Sequence, residues 1–161
     1  MANFIRNTNN FFYYFLSQIF VIISFYVVYK FSKEIFKNDL LSFLSVLILE
    51  SIYFYNFTTP EFNVNVCQLP FWALTVYYFW KIYDCKEIKF NDCFLVALFA
   101  SFGFLSKYLF IYLLFSIVLL FVYLIFIKKL KKFDLKYLII LEIFFIILVP
   151  HLIWLNQNDF I

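Results

Sequence analysis

"CFLVALFASFGFLSKYLFIYLLFSIVLLFVYLIFI", Cys93 to Ile127, is 35 residues long and carries one charge, Lys107. A hydrocarbon core about 30 Å thick takes about 20 helical residues per crossing, so apolar runs of about 18 or more read as spans. The run is too long for one upright helix, and Lys107 lies near its middle. Whether the chain crosses once or twice there decides the fold. The rest of the sequence agrees that the solvent is lipid: 66% of residues are hydrophobic and 14% charged. A soluble domain averages roughly 45–50% apolar and about 25% charged. The chain therefore reads as an integral membrane protein.

Working outward, the chain of 161 residues falls into apolar segments joined by short polar loops. They run roughly 11–29, 40–57, 64–80, 93–106, 107–127 and 137–155. The loops are "KFSKEIFKND", "TTPEFNVN", "KIYDCKEIKFND" and "KKLKKFDLK". No linker, repeat or soluble domain interrupts them, so residues 1–161 are expected to form one transmembrane domain, an all-α polytopic helical bundle of about six spans. The N-terminus lacks the pattern of a removable signal peptide. The 27 Phe, 13 Tyr and single Gly point to an AT-rich coding sequence, so aromatic abundance is no functional signal. The 3 Cys form no CxxC and there is 1 His, which argues against a disulfide framework or a zinc site. No nucleic-acid partner is expected.

Charge decides the number of crossings. If the chain crosses twice around Lys107, one side receives Lys30, Lys33, Lys37, Lys81, Lys86, Lys89, Lys128, Lys129, Lys131, Lys132 and Lys136. The other side receives only Arg6 and Lys107 of the 13 basic residues. The positive-inside rule makes the lysine-rich side cytoplasmic. A single crossing would translocate the basic loop at 128–136, so the two-span reading is preferred. Both termini, the "TTPEF" loop and Lys107 are then expected toward the outer side.

Splitting the run gives Lys107 a depth. Residues 93–106 make about 21 Å of helix at 1.5 Å per residue, short of a core about 30 Å thick. Gly103, the only glycine, is a natural place for that helix to end. Lys107 would then floor an outward-facing cavity. A lysine at the centre of a span costs roughly 2.5–3.5 kcal/mol. Snorkelling to headgroups would relieve that cost without any function; the functional alternative is a cation held for an anionic group.

Glu34, Asp39, Asp84, Glu87, Asp92 and Asp134 read as solvated charges among cytoplasmic lysines. Glu61 falls in the outer loop and Asp159 in the outer tail. Glu50 and Glu142 fall within spans, where acids are functional candidates. Their structural readings are a helix–helix hydrogen bond for Glu50 and pairing near Lys136 for Glu142. His151 follows Pro150, where it is expected to satisfy carbonyls freed by the proline.

Three stretches carry a resemblance. "TTPEFNVNVCQLPFWALTVYYFW", "ALFASFGFLSKYLFIYLL" and "ILVPHLIWLNQNDF" resemble successive segments of the polytopic glycosyltransferases related to dolichyl-phosphate-mannose–protein mannosyltransferase. That superfamily includes bacterial enzymes that modify lipid A with aminoarabinose, and galacturonosyl transferases. The resemblance covers nearly the whole chain and implies a GT-C type membrane domain. It implies transfer of a hexose or pentose from a polyprenyl-phosphate carrier to a lipid or protein acceptor on the extracytoplasmic face. It places the protein in a cell envelope, as a multi-pass protein of a bacterial inner membrane. It implies that Lys107, in the "SK" element, meets the lipid-linked phosphate, and that Glu61, the acid of the "TTPE" loop, shapes or binds within the same outward site. No cofactor is evident, although a complete family enzyme has room for a divalent cation. At Trp154–Asn156 an extra Leu155 separates residues that relatives join directly, so no role is carried over there.

The departures are as informative. The family's catalytic acid lies in the first outer loop, and no Asp or Glu precedes Glu34 here. The chain is thus expected to be an internal fragment or one part of a split enzyme, lacking the first span, the first outer loop and the C-terminal part. It is expected to hold no catalytic acid, to be inactive alone, and to partner the missing remainder. The rival readings are a small transporter or channel using Glu50, Lys107 and Glu142, and a non-catalytic membrane subunit.

Overall fold

The computed structural model describes residues 2–57, 59–60, 62–85, 87–127 and 135–158, with side chains from residue 11 onward. Every regular element among them is a helix, in agreement with an all-α membrane bundle. Two compact units follow each other along the chain, Met1–Tyr77 and Tyr78–Ile161.

The first unit opens on α1, Ala2–Phe36. It passes straight through Lys30, Lys33 and Glu34, which were expected in a loop. No breaker intervenes until Lys37, whose φ of 50° turns the backbone left-handed. Asn38 then caps α2, Asp39–Glu50, accepting from the amides of Leu40 at 2.9 Å and Leu41 at 3.3 Å. Asp39 in the first turn complements the positive helix end.

The second expected span, 40–57, is not one helix. α2 ends at Glu50 after 12 residues, and only the single turn α3, Tyr53–Asn56, follows. The Ser51 hydroxyl donates to the Ile48 carbonyl at 2.6 Å, the Ile52 amide bonds Leu49 at 3.1 Å, and Ile52 is extended at ψ 129°. These bonds tighten the last turn and lead the chain away from the helix axis. Asn63 then caps α4, Val64–Asp84, accepting from the amides of Asn65 at 2.9 Å and Val66 at 3.2 Å.

Contacts fix the register of this unit. Tyr29 and Lys33 of α1 meet Asp39, and Phe25 stacks on Tyr55, so α1 and α2 are antiparallel. Phe20 packs on Phe71 while Phe31 packs on Tyr77, so the start of α4 runs alongside α1. Glu34 is not a fully solvated charge. Its carboxylate is half-buried and accepts the hydroxyl of the buried Tyr77 at 2.5 Å.

In the second unit α5, Phe90–Ser106, is followed by a 3₁₀ turn, Tyr108–Phe110, by α6, Ile111–Phe126, and by α7, Lys136–Gln157. The break expected at Lys107 is there: its backbone is extended at φ −161° and ψ 127°. Gly103 does not make the break by adopting a left-handed conformation. It gives room instead, because the buried ring of Phe110 folds back onto the face where a Cβ would stand.

Lys136 Nζ reaches the Ile88 carbonyl at 2.9 Å, Phe104 packs on Phe144, and Tyr108 meets His151. These pairs advance together, so α5 and α7 are parallel. Phe121 packs on Tyr137 at 4.8 Å between centroids, which sets α6 antiparallel to both. Ile82, Cys93 and Val96 form the core at one end, with Tyr137 and Ile140 against them.

Among the described residues, three stretches have the length and apolarity to cross a membrane: Phe11–Phe36, Tyr108–Phe126 and Lys136–Gln157. Phe90–Ser106 is a shorter apolar helix of about 26 Å at 1.5 Å per residue. α2 is too short, and α4 is diluted by Asn65, Gln68, Thr75 and its tyrosines and tryptophans. Six apolar segments thus form helices, but only half of them meet the criteria of an independent span. The outward faces of α6 and α7, including Phe115, Leu119, Phe145 and Ile146, are exposed and apolar, as a lipid environment requires.

Candidate functional site

Lys107 sits at the join of two helices of opposite polarity. Its amide bonds the Gly103 carbonyl at 3.2 Å, closing α5, and its carbonyl accepts from the Phe110 amide at 2.9 Å, opening the next turn. A cation is favoured at the negative end of α5. The amides of Phe110 and Ile111 that open the following helix bond back to the carbonyls of Lys107 and of Tyr108 and Leu109. The ammonium group makes the join suitable for an anion. The side chain is half-buried, so neither full exposure nor full burial describes it.

Two of the three family-like segments meet beside this join. The Tyr108 hydroxyl lies 2.7 Å from His151 Nε2. His151 stacks on Trp154 with centroids 6.1 Å apart and planes 11° from parallel. Phe104 lies against Tyr108, 5.4 Å between centroids. His151 was expected to satisfy carbonyls freed by Pro150; its ring nitrogen instead engages a side chain of the neighbouring segment. Sequence reasoning singled out Lys107 and passed over Tyr108. The adjacent "KY" was visible, but only the parallel register of α5 and α7 brings the tyrosine to His151.

The other end of this unit holds Lys81, Lys89 and Asp92, with Lys136 bonded to Ile88. Lys107 therefore lies at one end of the α5–α7 pair, and Lys89 and Lys136 at the other.

In the first unit, a cavity of about 340 Å³ opens beside α1, α2 and α3. Glu50 lines it with Tyr14, Gln18, Tyr55 and Asn56. Thr59 and Pro60, the start of the "TPE" motif, close one side. The buried Ser17 hydroxyl donates to the Thr59 carbonyl, and the Thr59 hydroxyl donates to the Asn56 carbonyl at 2.9 Å, which pins that loop to α1. The expected cavity floored by Lys107 is not this one, where Glu50 is the single charged residue among the described lining residues. Glu61 lies outside the described residues. Glu142 is exposed on α7.

Tyr14 and Gln18 are four apart on α1 and were legible as one helical face. Nothing local in the sequence showed that α2 would stop at Glu50 and leave space there.

A family model described as dolichyl-phosphate-mannose-protein mannosyltransferase matches residues 2–154. No curated protein and no solved structure matches the chain. The match spans the first two motif segments and the third as far as Trp154, and it agrees with the helical membrane architecture. The chain belongs to the dolichyl-phosphate-mannose-protein mannosyltransferase family, the membrane glycosyltransferases of GT-C type.

Proposed function

We propose that the chain serves transfer of a sugar from a polyprenyl-phosphate donor to an acceptor on the extracytoplasmic side of a cell-envelope membrane. Lys107 is the residue assigned to the donor phosphate. The observation that carries this reading is the join at Lys107, where α5 ends, the backbone extends, and the next helix starts. Phosphate favours a lysine ammonium as a compact point charge. The proposed orientation follows from lysine asymmetry, with the Lys107 end outward and the Lys81, Lys89 and Lys136 end toward the cytoplasm. Glu61, by its place in the "TTPE" loop, is proposed as a second residue of the outward site.

The test is binding of polyprenyl phosphate to the chain reconstituted in lipid bilayers. Lys107→Ala removes a charge-assisted contact, a loss of roughly 1.5–3 kcal/mol or about tenfold to a hundredfold in affinity. Lys107→Arg keeps the charge in a different geometry and recovers part of the loss. Lys89→Ala, an exposed lysine at the other end of the unit, leaves binding unchanged. Equal affinity in all variants would remove Lys107 from the donor site.

A further inference from the structure

His151 is the single histidine of the chain, and its place beside the Lys107 join gives it a use that its own helix does not require. Its Nε2 lies 2.7 Å from the Tyr108 hydroxyl, and Tyr108 directly follows Lys107. The contact is held from two sides. Phe104 packs on Tyr108 at 5.4 Å between centroids and is itself packed on Phe144 of α7. Trp154 stacks on His151 from further along α7. The pair is open to water: Tyr108 is 53% and Trp154 51% exposed, and α7 ends on the polar Asn156 and Gln157. Protons from the aqueous side therefore reach the ring.

Histidine changes charge between about pH 5 and 8, and its two forms treat Tyr108 differently. A neutral ring with Nε2 unprotonated accepts the phenol proton, so the Tyr108 O–H is taken up by it. A charged ring donates from both nitrogens, the phenol oxygen accepts, and its O–H is released. Charging His151 thus changes two things beside Lys107: it adds a positive charge and it frees a donor. Both favour an anion. The two cations also disfavour each other until an anion joins them, which couples proton and anion. Among the described residues, the other charged or titratable groups at this end are Lys107 and Tyr108 at the join and Tyr112 in the first turn of α6. Asp92 stands in the first turn of α5 at the far end, and Lys136 and Glu142 lie toward the start of α7. Asp159 lies outside the described residues. We propose that His151 is a second, titrating cation of the anion site at Lys107, which holds a lipid-linked phosphodiester more tightly when the ring is charged and the Tyr108 O–H is released. This rests on the assignment of Lys107 to the donor phosphate, and adds to it a dependence on the pH of the side that the join faces.

The experiment uses the full chain in lipid nanodiscs, with the methyl ester of polyprenyl phosphate as the probe. This diester keeps one negative charge throughout, whereas a phosphate monoester has a second pKa of about 6 and would titrate itself. Wild type is expected to bind the diester about tenfold more tightly at about pH 5 than at about pH 8. His151→Gln, whose amide oxygen still accepts from Tyr108 but takes no charge, is expected to match wild type at the higher pH and to lose the gain. Tyr108→Phe keeps the charge and lacks the donor, and is expected to keep part of the gain. Because the chain has one histidine, nitrogen NMR of the labelled residue reads the same ring without any substitution. Nε2 is expected to be unprotonated at the higher pH, and the midpoint of the titration is expected to rise when the diester binds, because the coupling is reciprocal. An Nε2 that carries the proton at the higher pH, or a midpoint that the diester does not move, overturns the proposal. Diester binding that depends on Lys107 but responds to pH equally in wild type and His151→Gln overturns this proposal alone. Binding equal in wild type and Lys107→Ala at both pH values strikes the Lys107 reading, and with it the site on which His151 would act.

Discussion

The ring of Phe110 occupies the place where a side chain on Gly103 would begin. Both residues are buried, and between them lie only the end of α5, the extended Lys107 and the 3₁₀ turn. The tight return of the chain at Lys107 depends on this fit.

Gly103→Ala is therefore expected to strain the return and not to stabilise α5, although alanine is the better helix former by about 1 kcal/mol. Overpacking of this kind costs about 1–3 kcal/mol. A lowered thermal midpoint in detergent for Gly103→Ala, partly restored by Phe110→Leu in the same chain, is the expected result. A midpoint raised by Gly103→Ala would show that the ring yields freely.

Asp39 gives a pH dependence with a definite sign. Its carboxyl is held below the ordinary aspartate range by a hydrogen bond from Lys33, at 2.7 Å, then by one from the Tyr29 hydroxyl at 3.0 Å and by the Lys33 charge. A lowered folded-state value means that the ionised form is favoured by folding. The contribution is complete above the ordinary value of about 3.9 and is lost as pH falls through the lowered one. Asp39→Asn should thus lower the unfolding midpoint at pH 7, and the difference from wild type should disappear in strong acid. The pair is fully exposed, so the effect is small and shrinks further at high salt.

The orientation of the membrane domain can be read chemically. With Cys67, Cys85 and Cys93 replaced, Lys89→Cys is expected to stay unlabelled when an impermeant maleimide is added to intact cells. Asn158→Cys, at the end of α7 and at the Lys107 end of the unit, is expected to label. The reverse pattern would place Lys107 in the cytoplasm and remove it from an extracytoplasmic reaction.

Most helices were legible because lipid demands long apolar runs, and the break into two helices was legible because Lys107 interrupts one. What escaped was set by contacts distant in sequence. Lys30–Phe36 looks like a loop by charge, yet Glu34 belongs to a helix that Tyr77 receives. The run 40–57 looks like one span by hydropathy, yet the bonds at Ser51 and Ile52 end it at Glu50. Lys107 could be singled out because a charge among apolar residues is conspicuous. The Glu50 cavity could not, because a cavity is the absence of a neighbour and the sequence shows only the residues around it. His151 was assigned to its own helix because the register of α7 against α5 has no local signature.

The buried serines bear on how such a chain comes together. Ser24 returns its hydroxyl to the Phe20 carbonyl at 2.8 Å, Ser42 to Asn38 at 2.7 Å, and Ser101 to Ala97 at 2.7 Å. Each reaches an acceptor one turn back on its own segment or cap, so it asks nothing of the helix packed against it. To its neighbour each of these positions presents a small, chemically quiet surface that permits close backbone approach. A helix can then enter lipid alone, with these hydroxyls already satisfied, and find its neighbour afterwards by shape. Assembly need not wait for complementary polar groups at these positions, and the order in which the helices leave the insertion machinery is not dictated by them.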